Sequence, residues 1–167
     1  LVYSCSRDLT VREWKVNESI DSDTESPYFR TYLGHELNIS AIALNTEESQ
    51  LCSGSRDYTV KIWDIEHGSC ILDNKTSRNL VTCLKWFQGE TCLVQGSEDL
   101  KLRIWDTRTK LLDPIDTFEG EYVYFPLCCD TSSDNVNILT SSKGFNSVGC
   151  EAKIIDRRIG KAVKIFQ

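Results

Sequence analysis

Three groups of residues have types that could do chemistry. His35, Ser53 and Asp57 supply the base, hydroxyl and carboxylate that a hydrolytic triad needs. Eight cysteines could hold zinc or pair as disulfides. GFNSVG at 144–149 lies one residue away from the G-x-S-x-G nucleophile elbow. Spacing argues against the last two. No CxxC occurs, His35 and His67 lie far from any cysteine pair, and Cys128 and Cys129 point to opposite faces if they share a strand. Cys5, Cys52, Cys83 and Cys92 fall in apolar, strand-like runs where a reduced thiol packs as a small hydrophobe. No strand-then-helix pattern surrounds GFNSVG, which reads as a flexible hairpin loop. Neither a metal nor a cofactor is expected.

The elements that must position these residues come from a repeat. Residues 34–66 overlay 76–108 without a gap, matching Leu51/Leu93, Gly54/Gly96, Ser55/Ser97, Asp57/Asp99, Ile62/Ile104, Trp63/Trp105 and Asp64/Asp106. SRDLTVREW at 6–14 is an earlier copy of SRDYTVKIW at 55–63, with an acidic insertion after it within Asn17 to Pro27. CEAKIIDRR at 150–158 is a degenerate later copy of DLKLRIWDT at 99–107, with Ile155 replacing tryptophan. Each copy reads as four short strands; in the second they are Ile39–Leu44, Gln50–Gly54, Thr59–Ile65 and Ser69–Leu72, punctuated by turn residues. A first strand apolar on both faces requires neighbours on either side, which suits radially packed sheets. Helical periodicity is absent, which excludes helical solenoids.

Composition narrows the function. At 40% apolar and 26% charged the chain is globular rather than disordered, and its net charge of −6 is the wrong sign for a general nucleic-acid binder. The longest apolar run, Tyr122–Cys129, is far short of the ~20 residues of a spanning helix and contains Pro126. The cysteine usage points to a reducing, intracellular and cytoplasmic setting. The sequons at Asn17, Asn38 and Asn74 are therefore expected to stay unmodified.

The GH at 34–35, the WD at 63–64 and 105–106 and the SxD turns at 55–57 and 97–99 resemble the WD-repeat family of β-propellers over nearly the whole chain. The resemblance implies an all-β propeller with about four blades, approximately 1–33, 34–75, 76–118 and 119–167. The chain starts within a blade, so strands should fall three, four, four and four. It is expected to be a fragment forming an open arc of a longer, about seven-bladed propeller. The family's buried hydrogen-bond network maps to His35, Ser53, Asp57 and Trp63; an indole N–H donor in that set marks a scaffold, not an activated nucleophile. No catalytic residue is therefore expected. The third copy keeps Asp99 and Trp105 but has Ser77 at the His position and Gln95 at the Ser position, half a network in which Asp99 should matter less than Asp57. The fourth, lacking Trp, should rely on packing alone.

The function implied is a non-catalytic protein–protein interaction scaffold. In the family the residue before the turn Asp and the residue opening the innermost strand face partners; here these are Arg7, Arg56 and Glu98, and Asn38 and Leu80. Two guanidiniums suit a carboxylate-rich or phosphorylated peptide, and Leu80 an apolar anchor. The alternatives are an RNA or anionic-ligand site on the basic outer strand of Arg157, Arg158, Lys161 and Lys164, and an enzyme using the central channel. The acidic segment 17–26, with four Ser and Thr hydroxyls, suits acid-directed kinases.

Overall fold

A computed structural model describes residues 1–15, 28–75, 80–109, 113–146 and 148–166. It contains four antiparallel sheets and, among the described residues, no α-helix. The first sheet has three strands, β1 (Val2–Cys5), β2 (Thr10–Trp14) and β3 (Tyr28–Leu33). The second is β4 (Ile39–Leu44), β5 (Gln50–Ser55), β6 (Thr59–Asp64) and β7 (Cys70–Lys75); the third is β8 (Val81–Trp86), β9 (Cys92–Ser97), β10 (Leu102–Asp106) and β11 (Asp116–Phe118). The fourth is β12 (Pro126–Thr131), β13 (Asn137–Ser142), β14 (Glu151–Asp156) and β15 (Lys161–Phe166). Each sheet is a meander, so each strand pairs with its sequence neighbour and only short turns are needed.

Successive sheets pack face to face, mainly through their first strands, β1 on β4, β4 on β8 and β8 on β12. The first and fourth sheets share no contact of similar extent among the described residues, so the ring is not closed within this chain. The fold is thus the partial, open propeller that the resemblance implied. Its core is interfacial. Val11, Tyr32, Ile39, Leu51 and Trp63 fill the space between the first and second sheets, Cys52, Val60, Ile62, Val81, Leu84 and Trp86 that between the second and third, and Cys83, Val94, Leu102, Cys129 and Ile138 that between the third and fourth.

Two repeat-equivalent glycines let the sheets approach. An added Cβ on Gly54 would lie 2.4 Å from Val81 Cγ1, and one on Gly96 would lie 2.6 Å from Cys83 Sγ and 2.9 Å from Pro126 Cγ. Polar ties cross the same seams: Ser40 Oγ donates to Val81 O at 2.5 Å, Trp86 Nε1 to Ala43 O at 3.1 Å and Thr131 Oγ1 to Trp86 O at 3.1 Å. Arg30 reaches from the first sheet to the carbonyls of Ile65 and Glu66 in the second, its stem lying over Gly68. All eight cysteines carry free thiols, and Cys128 and Cys129 fall exposed and buried respectively, as alternation along β12 requires. No helix among the described residues is long and apolar enough to cross a membrane.

Candidate functional site

The turns that lead into β2, β6 and β10 have the same build. Leu9, Tyr58 and Leu100, each following the turn Asp, sit at φ of 73°, 70° and 66°. A left-handed conformation is unfavourable for a side-chain-bearing residue. The preceding aspartate compensates by bridging the turn: Asp8 Oδ1 accepts from Thr10 N at 3.1 Å, and Asp57 Oδ1 from Thr59 N at 2.9 Å. This geometry projects the residue before each aspartate, and Arg7, Arg56 and Glu98 are all exposed. Arg56 N donates to Asn38 O at 2.9 Å and Glu98 N to Leu80 O at 3.1 Å, which places the half-buried Asn38 and Leu80 at that same end of their sheets. Neither Arg7 nor Arg56 makes an ion pair among the described residues, so the pairing with neighbouring acids that would occupy them is absent there.

Beneath that end, His35, Ser53, Asp57 and Trp63 form one chain of hydrogen bonds. Trp63 Nε1 donates to Ser53 Oγ at 2.8 Å, Ser53 Oγ lies 2.7 Å from His35 Nε2, and His35 Nδ1 lies 2.9 Å from Asp57 Oδ2. The indole can only donate, so the serine hydrogen points to Nε2 and Nδ1 carries the ring proton toward Asp57. The serine hydroxyl therefore accepts from the indole while donating to the histidine, and all four groups are buried. Asp57 also accepts from Thr59 Oγ1 at 2.6 Å and Glu36 N at 2.9 Å.

Burial holds the His35 ring below its ordinary 6.5, despite the Asp57 hydrogen bond and charge that pull the other way. Burial pushes Asp57 up, but the hydrogen bonds from Thr59, Glu36 and His35 together bring it down to about 2. Both groups thus contribute stability that is complete above their unfolded values and lost as pH falls below them. His35 acts from about 6.5 downward and Asp57 between 3.8 and about 2. Chemical melts of the wild type should accordingly show a loss of stability between pH 7 and 5 that is smaller in His35→Gln; equal slopes would remove the neutral buried histidine.

The other sheets solve the same problem differently. In the third, Trp105 Nε1 donates to Gln95 Oε1 at 2.7 Å, and Gln95 Nε2 to Ser97 Oγ at 3.3 Å. Ser77 lies outside the described residues, and Asp99 is instead gripped by both guanidinium nitrogens of the buried Arg103, which also donates to Ser97 Oγ at 2.9 Å. The third network is therefore rewired through Arg103 rather than halved.

In the fourth sheet Ile155 stands opposite Ile138 as Trp105 stands opposite Leu93. Packing alone does not serve there: Tyr122, four residues before its first strand as His35 is before β4, lies 2.7 Å through its hydroxyl from Thr140 Oγ1, and both are buried. The signal that could have found Tyr122 is that four-residue offset. The first sheet holds another polar contact that the sequence did not reveal, Tyr32 OH donating to the buried Glu13 at 3.0 Å.

The remaining candidates are placed as follows. Arg157 forks onto Glu90 at 2.9 and 3.0 Å and stacks on Phe87 at 4.0 Å, and Arg158 pairs with Asp156 at 2.6 Å. Of the basic outer run, Lys161 and Lys164 make no ion pair among the described residues. A groove of about 410 Å³ lies at the opposite end of the second and third sheets, lined by Leu72, Trp86, Glu90 and Arg108 among others. It holds no histidine or cysteine, and Glu90 and Arg108 are already paired. Among the described residues no cluster of three or more His, Cys, Asp or Glu could hold a metal. The acidic segment 17–26 lies outside the described residues.

Comparison with known proteins adds a family likeness. The model of the WD40 family, described as WD domain, G-beta repeat, matches residues 27–64 and 68–106. The chain is 33% identical over 112 residues to pre-mRNA-processing factor 17 of Homo sapiens and 32% identical over 112 residues to its Mus musculus counterpart. In each case the match covers 65% of this chain and 18% of the relative, so the chain spans less than a fifth of the length of these proteins. Residues 27–64 and 68–106 of this all-β, propeller-type chain, which run from β3 to β6 and from within the β6–β7 turn to β10, are thus similar to WD40 repeats.

Proposed function

We propose that the chain is a non-catalytic scaffold that binds protein or peptide partners at the end of the sheets carrying Arg7, Asn38, Arg56, Leu80 and Glu98. The observation that carries this reading is the division of labour at that end. The His, Ser and Asp that could catalyse are consumed in a buried network closed by an indole donor, whereas two exposed arginines project without an ion pair among the described residues. A serine whose hydroxyl accepts from Trp63 has no open path to a substrate carbonyl. Forked guanidiniums favour carboxylate or phosphate groups, which makes an acidic or phosphorylated segment the partner chemistry of choice.

The double variant Arg7→Ala, Arg56→Ala should keep the wild-type melting temperature, since both side chains are exposed, yet bind the native partner at least tenfold more weakly. Undiminished binding would locate the partner elsewhere. The basic outer strand is the weaker candidate because two of its four cations are spent on Glu90 and Asp156. The name of the similar human and mouse proteins speaks of pre-mRNA processing, and a protein-binding role in such processing is compatible with this face. Eight free thiols support a reducing compartment, the cytoplasm in our reading. As a finer assignment, the segments 77–82 and 144–152 resemble those of WD repeat-containing protein 31.

A further inference from the structure

At the end of the sheets opposite Arg56 and Glu98, an arginine closes the seam on either side of the central one. Between the first and second sheets Arg30 of β3 reaches across to the carbonyls of Ile65 and Glu66, just after β6, with its stem over Gly68. Between the third and fourth, Arg157, just after β14, reaches back over the preceding sheet, stacks on Phe87 at 4.0 Å and forks onto Glu90 at 2.9 and 3.0 Å. Between the second and third lies the groove of about 410 Å³.

Strand register accounts for the difference. Glu13 and Ile62 are equivalent in the repeat, and Glu13 faces Arg30 as Ile62 faces Leu72, with an irregularity at the same place in both ladders. Leu72 therefore stands where Arg30 stands one sheet earlier. Arg157 N donates to Val136 O as Thr107 N donates to Thr91 O, so Thr107 stands where Arg157 stands one sheet later. Leu72 and Thr107 both line the groove, and neither carries the guanidinium that fills the neighbouring seams.

The groove keeps the surroundings that a guanidinium uses. Trp86 lines it, and because its Nε1 is spent on Ala43 O, ring surface is what it has to offer a cation. Leu72 supplies apolar contact for an aliphatic stem. Glu47 in the lining is exposed and makes no ion pair among the described residues. Glu90, also in the lining, is a carboxylate with acceptor positions beyond the two bonds it takes from Arg157. Arg108, the cation of the lining, is held by Asp106 at 2.6 Å, so the uncompensated charge there is the negative one of Glu47.

We propose that this groove binds an arginine side chain presented by a partner protein, its guanidinium paired with Glu47 and its stem lying along Leu72 and Trp86. The contact is separate from the face of Arg7 and Arg56 and of opposite sign, at the other end of the sheets.

The test follows the indole N–H signal of Trp86 by NMR in the full-length protein carrying isotope-labelled tryptophan, assigned with Trp86→Phe, as Nα-acetyl-arginine methylamide is added. The signal should move saturably with this probe and stay in place with the citrulline analogue, which keeps the shape and loses the charge. Glu47→Gln should weaken binding about threefold, the scale of an exposed ion pair. Leu72→Arg, which carries the Arg30 arrangement into the central seam, should abolish the shift without lowering the melting temperature. Free arginine, with its own ammonium and carboxylate, should bind no more tightly than the blocked amide. A Trp86 signal that ignores the probe, moves equally with citrulline, or moves in Glu47→Gln or in folded Leu72→Arg as it does in the wild type would overturn the site. Markedly tighter binding of free arginine would overturn a partner protein as the source of the side chain. If Leu72→Arg does not fold, Glu47→Gln and the citrulline analogue decide the matter. The scaffold reading is left to the Arg7→Ala, Arg56→Ala assay, so the two fail separately.

Discussion

Replacing Asp99 by alanine is expected to destabilise the fold by about 3–5 kcal/mol, the range for stranding one member of a buried ion pair. The Arg103 side chain is only 9% exposed and its partner Asp99 13%, so little solvent is available to the orphaned guanidinium. Burial alone would raise the Asp99 carboxyl, and the Arg103 hydrogen bonds and charge more than reverse this, holding it below the ordinary range. Asp57→Ala should cost about 1–3 kcal/mol for leaving buried neutral donors unpaired, since His35, Thr59 and Glu36 all lose their acceptor there. The order Asp99 above Asp57 is the reverse of the one the repeat alignment suggests. Parallel urea melts of the full-length variants measure it, and the double change Asp99→Ala, Arg103→Met should restore most of the Asp99 loss, because a well-packed apolar side chain leaves no charge behind. A loss at Asp99 smaller than at Asp57, or one that methionine does not relieve, would mean that Arg103 is not what Asp99 serves.

Gly54→Val should be nearly as damaging, at or above the upper end of the ~1–3 kcal/mol typical of overpacked cores. Even the first added carbon would meet Val81 Cγ1 at 2.4 Å and Leu84 Cδ1 at 2.9 Å, and both belong to the next sheet. Relief would require separating the second and third sheets, which would also stretch the Ser40–Val81 and Trp86–Ala43 hydrogen bonds. Gly54→Ala should cost less than valine, and Val81→Ala should recover part of the alanine loss in a double-mutant cycle. Additive effects of the two changes would show that the sheets do not meet at this point. Gly96→Val is expected to behave alike against Cys83 and Pro126.

Strand positions and their grouping were legible because they depend on local chemistry. The alternation of β-branched and aromatic residues sets Thr59–Asp64, the turn aspartate sets the break before it, and the offset of 42 between Asp57 and Asp99 repeats both. The residues of the His35 chain could be named only through the family resemblance; the structure gives the reason it carries over, since Ser53, Asp57 and Trp63 sit on adjoining strands and their turn, with Leu51 facing Trp63 and Ser53 facing Lys61.

What tertiary structure alone decided is which donor reaches each buried acceptor when the usual one is missing. Arg103 reads in sequence as an ordinary strand cation like Lys61, yet Lys61 turns outward to Asp73 whereas Arg103 turns back to Asp99. Tyr122 opens an apolar run and is marked in sequence only by its four-residue offset from β12; the approach of its loop to β13 is what places its hydroxyl on Thr140. Gly149 likewise meets the Tyr124 ring only because another loop brings that tyrosine against it. Backbone pairing follows from residues a few positions apart, but desolvated polar atoms must be satisfied by whatever side chain the packed sheets bring within about 3 Å, and that choice is made across the chain rather than along it.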